Sequence, residues 1–443
     1  MDAVRPVLGV AFLVAYVWQT FAPGTFGTDL FLGIGAALFV ISVPYSSTFH
    51  RAFALVALVA LGAVILAGQF DFVSFYEGIP TYFGIIAVLL VLSIAGYPIQ
   101  AARYEVQIQA LMAALTRRGV SIKATAGVLG HVLGAVLDVG ALVLIDVISG
   151  RSAPKGRLDS LKWAGRAYSF APLWTNLNIL TATTIVLTGV SYPKLLAVTL
   201  PFVLLGLAGT LIFAQREGGE VGEIPQVPLD RGAAAVLLYP VVLVAAVALV
   251  NVIFPKLPLT AAIAVTVATI VLLIAMLAAV LTRRVSPLVR LGQETRGSLT
   301  TSYAEFTLFG SAGIFVLSLK ALGALAPLGA VLSALPTVLV APALALIMAV
   351  GFIAGIHVIP MVLLLNTAFP LDGGPAPVLW AAALLLGSQS VLLITPFSTT
   401  VTMLSRLTGL HPLEIGPRRN LGFELIVTAA AILYLGLLTL LLL

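Results

Sequence analysis

Leu259 to Thr282 reads LTAAIAVTVATIVLLIAMLAAVLT, an unbroken run with no charged side chain. About 20 such residues cover the ~30 Å hydrocarbon layer of a bilayer. No water is available there, so each backbone N–H and C=O must find its partner within the segment, which dictates a helix. Working outward, similar runs occupy Ala52–Gly68, Thr81–Gly96, Leu195–Ala214, Ala233–Phe254 and Leu421–Leu443. The chain of 443 residues is 60% hydrophobic and 9% charged. A soluble domain carries roughly a quarter of its residues charged. The runs do not alternate as barrel strands do. These features predict an all-α polytopic membrane protein with about 11 transmembrane helices.

Charge orients the spans. One scheme starts in the cytoplasm and crosses at Pro6–Ala22, Asp29–Pro44, Ala52–Gly68 and Thr81–Tyr97. It continues through Ala167–Thr188, Leu195–Ala214, Ala233–Phe254 and Leu259–Thr282, then Ser302–Leu322, Pro377–Leu407 and Leu421–Leu443. Two hairpins, at about Ala124–Ser149 and Ala341–Pro370, dip in without crossing. Of the 23 Lys and Arg, only Lys194, Lys256 and Lys320 then fall outside. The positive-inside rule thus predicts a cytoplasmic N-terminus and an external C-terminus. Had the first hairpin crossed, the basic run Arg151–Arg166 would lie outside.

The halves resemble each other. Thr81-Tyr82-Phe83-Gly84 is matched 226 residues later by Thr307-Leu308-Phe309-Gly310, and His131 by His357 at the same offset. Thr188-Gly189 is answered by Thr408-Gly409. Under the charge scheme the matched spans run in opposite directions, so the repeats are inverted, a common basis of alternating access. The expected organisation is an extra span at 1–25, a first repeat at 26–214, a cytoplasmic linker at 215–231 and a second repeat at 232–443. Glu217, Glu220 and Glu223 in the linker read as a solvated loop.

Transporter sites lie where helices are broken and backbone groups are free. Pro172-Leu173-Trp174-Thr175-Asn176-Leu177-Asn178 interrupts one span, with Thr181, Thr183 and Thr184 after it. Thr395-Pro396-Phe397-Ser398-Thr399-Thr400 interrupts another at about the same place in its repeat. Proline removes a helical N–H, and hydroxyl and amide groups supply oxygens and donors. Such oxygens suit a hard cation, and helix N-termini suit an anion. Bonding between packed helices is the structural role open to the same residues. Asp138 sits midway along the first hairpin, where a carboxylate is costly and so a candidate cation ligand, proton carrier or helix cap. Asn366-Thr367 falls late in the second hairpin, before Pro370 and Asp372. Asp146 reads as interfacial, His131 and His357 as buried neutral side chains as readily as a proton pair, and Ala101–Lys123 as an amphipathic surface helix.

The chain has no Cys, which excludes disulfides and thiol chemistry. It has no HExxH, Walker or dinucleotide-binding motif, no nucleophile elbow and no paired catalytic carboxylates, so neither an enzyme nor ATP-driven transport is expected. The basic pI of 9.6 is assigned to cytoplasmic anchoring charges rather than to nucleic acid.

The whole pattern resembles the ion transporter superfamily, and within it the divalent anion:sodium symporter family. That resemblance implies eleven spans, two inverted repeats each with a re-entrant hairpin and a broken helix, and a Ser-Asn-Thr motif at each hairpin tip. Leu365-Asn366-Thr367-Ala368 is similar to the second motif with its serine replaced, while Asp138-Val139-Gly140-Ala141 stands in place of the first. It also implies a homodimer in which a mobile body, here spans 4–6 and 9–11 with the hairpins, slides against a scaffold.

The expected function is sodium- or proton-coupled transport of a small organic anion across the inner membrane of a bacterium or archaeon. Thr175, Asn176, Asn178, Ser398, Thr399 and Thr400 would line the substrate site, with Asn366 and Thr367 closing it. Asp138, Gly140, Asn176, Asn366 and Ser398 would hold the coupling ion. No cofactor is expected beyond Na+ in that role. The alternatives are a flippase for a lipid-linked substrate, which needs a lateral lipid-facing groove, and a passive channel.

Overall fold

A computed structural model describes residues 4–22, 24–98, 104–149, 154–218, 231–356, 358–369, 376–396 and 398–442. His357, Glu220, Glu223, Pro370, Asp372 and Phe397 lie outside them. The structure is 85% helical, with no strand among the described residues. In chain order the helices begin with α1 (Val4–Phe21), α2 (Thr25–Ser42), α3 (Thr48–Leu66), α4 (Phe72–Leu92) and α5 (Tyr104–Arg117). Next come α6 (Ile122–Leu137), α7 (Gly140–Ser149), α8 (Pro154–Tyr168), α9 (Ile179–Thr188) and α10 (Tyr192–Glu217). Then follow α11 (Arg231–Ile253), α12 (Leu259–Thr282), α13 (Ser286–Thr301), α14 (Tyr303–Ala321) and α15 (Ala326–Ala334). The last are α16 (Thr337–Ile353), α17 (Val358–Ala368), α18 (Pro377–Gln389), α19 (Thr399–Thr408) and α20 (Arg419–Leu442).

Among the described residues, eight helical segments are long and apolar enough to cross a membrane. They are α1 to α4, α10, α12, α14 and the segment Glu414–Leu442 that contains α20. Two expected spans are each two shorter helices, α8 with α9 and α18 with α19, because the chain unwinds between them. The stretches expected as hairpins each contain two helices joined by a turn, α6 with α7 and α16 with α17. Their turns contain Asp138 (φ 50°) and Gly355 (φ 91°).

The chain forms two compact units, each drawing on both halves of the sequence. The first is Met1–Pro98, Leu249–Ser333 and Leu363–Phe369. Its centre is a ring cluster of Phe12, Phe31, Phe83 and Phe306 from α1, α2, α4 and α14. The second is Ile99–Ala248, Ala334–Val362 and Pro370–Leu443, and it holds both unwound segments. Here α6 packs on α8 and α16 on α18. Two glycines permit that approach. A Cβ on Gly130 would lie 2.8 Å from the Ala164 carbonyl oxygen, and one on Gly387 only 2.2 Å from that of Ala345.

Several expectations change. The basic stretch before the first break is helix α8, and Leu161, Trp163, Ala164 and Ala167 on it are buried. The apolar face of α5 is covered by protein rather than lipid, since Ile108, Leu111 and Met112 join a core with α6, α7 and α8. Glu217 is exposed as expected but closes α10 rather than lying in a loop. It accepts from Lys123 (3.1 Å), Lys162 (2.9 Å) and Trp163 Nε1 (2.7 Å). Spans 4 and 9, expected to travel with the breaks, are α4 and α14 of the first unit. His131 lies on α6, seven residues before Asp138, and His357 is outside the described residues.

Candidate functional site

The site is built where regular helix is interrupted. Helix α8 ends at Tyr168, and a short 3-10 turn, Ala171–Leu173, follows because Pro172 cannot supply an N–H to continue the ladder. Helix α9 restarts at Asn178, whose Oδ1 accepts from Leu180 N at 3.0 Å. In the second interruption α18 ends at Gln389, and α19 restarts at Ser398, whose Oγ accepts from Val401 N at 3.0 Å. Each restarted helix closes on a left-handed glycine, Gly189 (φ 65°) and Gly409 (φ 72°), a conformation that a side chain disfavours. The two restarted helices thus share a ten-residue length, a side-chain cap at the start and a glycine closure.

Each interruption is tied to a hairpin by one threonine. Thr175 Oγ1 donates to the Ala135 carbonyl at 3.0 Å, on the last turn of α6. Thr395 Oγ1 donates to the Phe352 carbonyl at 3.1 Å, on the last turn of α16. One apolar cluster joins the same four places. It contains Val139 of the first turn, Tyr168 and Ala171, Ala349 and Phe352 of α16, and Val391, Leu392 and Ile394.

Polar groups gather beside that cluster. Tyr168 donates its hydroxyl proton to the Asp138 carboxylate. The Thr400 hydroxyl lies next to that of Tyr168 but makes no hydrogen bond of normal geometry. Asp138 itself is exposed although its neighbours Leu133, Ala135, Ala141 and Leu142 are buried. The structure therefore brings Asp138 and Thr400 to the Tyr168 hydroxyl, with Gly140 opening α7 just after Asp138, while Thr175 bonds α6 three residues before Asp138.

Other expected residues stand differently. Asn176 is fully buried, donates Nδ2 to the Val244 carbonyl at 3.2 Å, and leaves Oδ1 without a partner. Asn178 and Ser398 spend their side-chain oxygens on their own helix starts, and Thr399 points to accessible space. Thr183 and Thr184 are buried with bare hydroxyls. Asn366 and Thr367 do not sit at a hairpin tip. They occupy the last turn of α17, about 16 Å of helical rise beyond Gly355, in the segment that belongs to the first unit. A mid-helix Asn-Thr cannot offer the bare backbone groups a turn would. Thr367 Oγ1 bonds back to the Leu363 carbonyl, and Asn366 Oδ1 has no partner.

His131 has a fixed role. Its Nε2 accepts from Trp174 Nε1 at 3.0 Å, so Nδ1 carries the proton and donates to the Ala167 carbonyl at 2.9 Å. It is a neutral brace under the first interruption. Asp146 anchors the hairpin's return arm, accepting both Nε (2.6 Å) and one Nη (2.7 Å) of Arg157 on α8. No group of three or more His, Asp or Glu able to hold a metal occurs among the described residues.

Two residues escaped the sequence reading. Glu424, on α20, is fully buried, and its Oε1 accepts from Leu393 N, inside the second interruption, at 3.0 Å. An acid within the apolar run Leu421–Leu443 was signal enough to find it. Tyr168 carries no such local mark. No family model matches this chain, and neither does any curated protein sequence.

Proposed function

We propose that this chain is a secondary active transporter that moves a small organic anion coupled to sodium or protons by an elevator-type mechanism. One observation carries the reading. Two interrupted helices with matching caps meet the first arms of two helical hairpins through matching threonine–carbonyl bonds. Paired broken helices leave backbone N–H and C=O groups free at membrane depth, which is what a membrane-embedded solute site requires. In this reading the chain has eleven spans in two inverted repeats, N-terminus inside and C-terminus outside. Thr400 and Asp138, with Thr175 and the N-termini of α9 and α19, hold solute and ion. Sodium, if used, would take oxygens from Asp138, Gly140, Asn176 and Ser398, all in the second unit. The second compact unit is the transport body, and the protein works as a homodimer resembling the ion transporter superfamily.

The test is thermal stabilisation of the purified protein across carboxylates, amino acids and neutral solutes, in sodium or potassium, at two pH values. A ligand that binds only the folded state raises its apparent stability. A carboxylate that stabilises in sodium alone, or at one pH alone, and fails in Asn176→Ala supports the proposal.

A second reading has its own observation. A lateral apolar groove of ≈ 750 Å³ runs between α8, α10 and α20, walled by Phe170, Phe202, Phe213 and Phe423, with Arg166 and Arg216 among its lining. Such a groove fits the flippase alternative. Stabilisation by lipid-linked substrates and by no soluble solute would favour it over the anion transporter.

A further inference from the structure

Glu424 is the acid that the site described above does not use. Its side chain is fully buried on α20. Oε1 accepts from Leu393 N at 3.0 Å, while Oε2 has no partner. A bare carboxylate oxygen there would leave a charge without compensation, and an unpartnered neutral group costs far less. One turn earlier on the same face of α20 lies Asn420, also buried. Arg166, from the helix that leads into the first interruption, holds Asn420 Oδ1 through Nε at 2.9 Å and the Arg419 carbonyl through Nη at 2.8 Å. Arg166 is within electrostatic reach of Glu424 yet forms no ion pair with it.

No other described charge competes for Glu424. Helices α16 and α18, packed against α20, contain no ionisable side chain. Ahead of α20, Glu414 is paired with Arg419 at 2.9 Å. On α10, Glu217 is held by Lys123 and Lys162. Arg166 therefore faces two side-chain acceptors one turn apart, and only one of them titrates.

We propose that Glu424 is a proton-binding switch whose proton decides whether Arg166 holds Asn420 or Glu424. With the proton on, Glu424 is neutral and Arg166 keeps the position described. When Glu424 gives its proton to water, the carboxylate draws the guanidinium one turn along α20. That move shifts the end of α8 against the helix whose side chain caps the second interruption, so one proton acts on both interruptions. The role of this switch in coupling rests on the transporter reading; the switch itself does not.

Trp163 reports the move, because the Arg166 guanidinium lies 4.8 Å from its ring centroid. A variant with Trp18, Trp174 and Trp380 changed to Phe leaves Trp163 as the single tryptophan, excited selectively at the red edge beyond tyrosine absorption. Its emission is followed from about pH 5 to about pH 9 in detergent, with no substrate present. One transition is expected, lost in Glu424→Gln, which keeps the acceptor for Leu393 N. The transition persists in Glu217→Gln, the acid bonded to the Trp163 indole. Asn420→Ala removes the competing acceptor, so it moves the midpoint to lower pH and tests the switch even if Glu424→Gln does not fold. A flat wild-type profile, a transition that survives Glu424→Gln, or one lost only in Glu217→Gln overturns the proposal. If the transition behaves as expected while neither a pH gradient nor a sodium gradient drives solute uptake into liposomes, the transporter reading fails and the switch stands.

Discussion

The hydroxyl of Thr400 is buried and unpaired, which separates stability from function at a single atom. Removing a polar group that has no partner costs little, and valine has nearly the shape of threonine. Thr400→Val should therefore stay within about 0.5 kcal/mol of wild-type stability yet lose ligand-dependent stabilisation, both read from melting curves. If the ligand response survives, Thr400 is packing alone. Tyr168→Phe is the contrasting case. It strips Asp138 of its donor, and a charge-assisted hydrogen bond contributes about 1.5–3 kcal/mol. Its melting temperature should fall, and a double-mutant cycle with Asp138→Asn should show the two changes to be non-additive. Asp138 was legible in the sequence because a carboxylate at depth is costly whatever surrounds it. Tyr168 was not, because its meaning comes from Asp138 thirty residues away, and no periodicity encodes that meeting.

Among the elements, the interruptions were legible because Pro172 and Pro396 cannot continue a hydrogen-bond ladder and Asn178 and Ser398 are natural helix starts. Helix α8 was hidden by its charges, since Lys, Arg and Asp on its outward face masked the buried Leu161, Ala164 and Ala167. Asn366-Thr367 was misplaced because a short motif has no fixed distance from a turn. Close packing gives the element-scale prediction. A methyl group on Gly387 would overlap the backbone of Ala345, which has no flexible end to move aside. Gly387→Ala should cost about 3 kcal/mol by forcing α16 and α18 apart, whereas Gly409→Ala, which only disfavours a left-handed cap, should cost about 1 kcal/mol. Equal losses in thermal melts would remove the distinction.

At the scale of the whole molecule, hydropathy was enough to expect a membrane protein, and eight helical segments among the described residues are long and apolar enough to span one. The two interleaved units were not legible, because contacts between distant segments such as α4 and α14 leave no trace in neighbouring residues. Orientation is open to direct test in a chain without native cysteine. Lys256 and Arg284 are exposed and flank α12. Lys256→Cys should react with an impermeant maleimide on intact cells, and Arg284→Cys only after lysis. The reverse pattern would invert the topology, and labelling of both would mean that α12 does not cross. The paired threonine bonds bear on rates. Each fastens a hairpin to an interrupted helix by one neutral hydrogen bond, worth about 1 kcal/mol net. Breaking one slows an opening step by only about fivefold, so these fasteners leave the hairpins fast to release and place any slow step of a working cycle elsewhere.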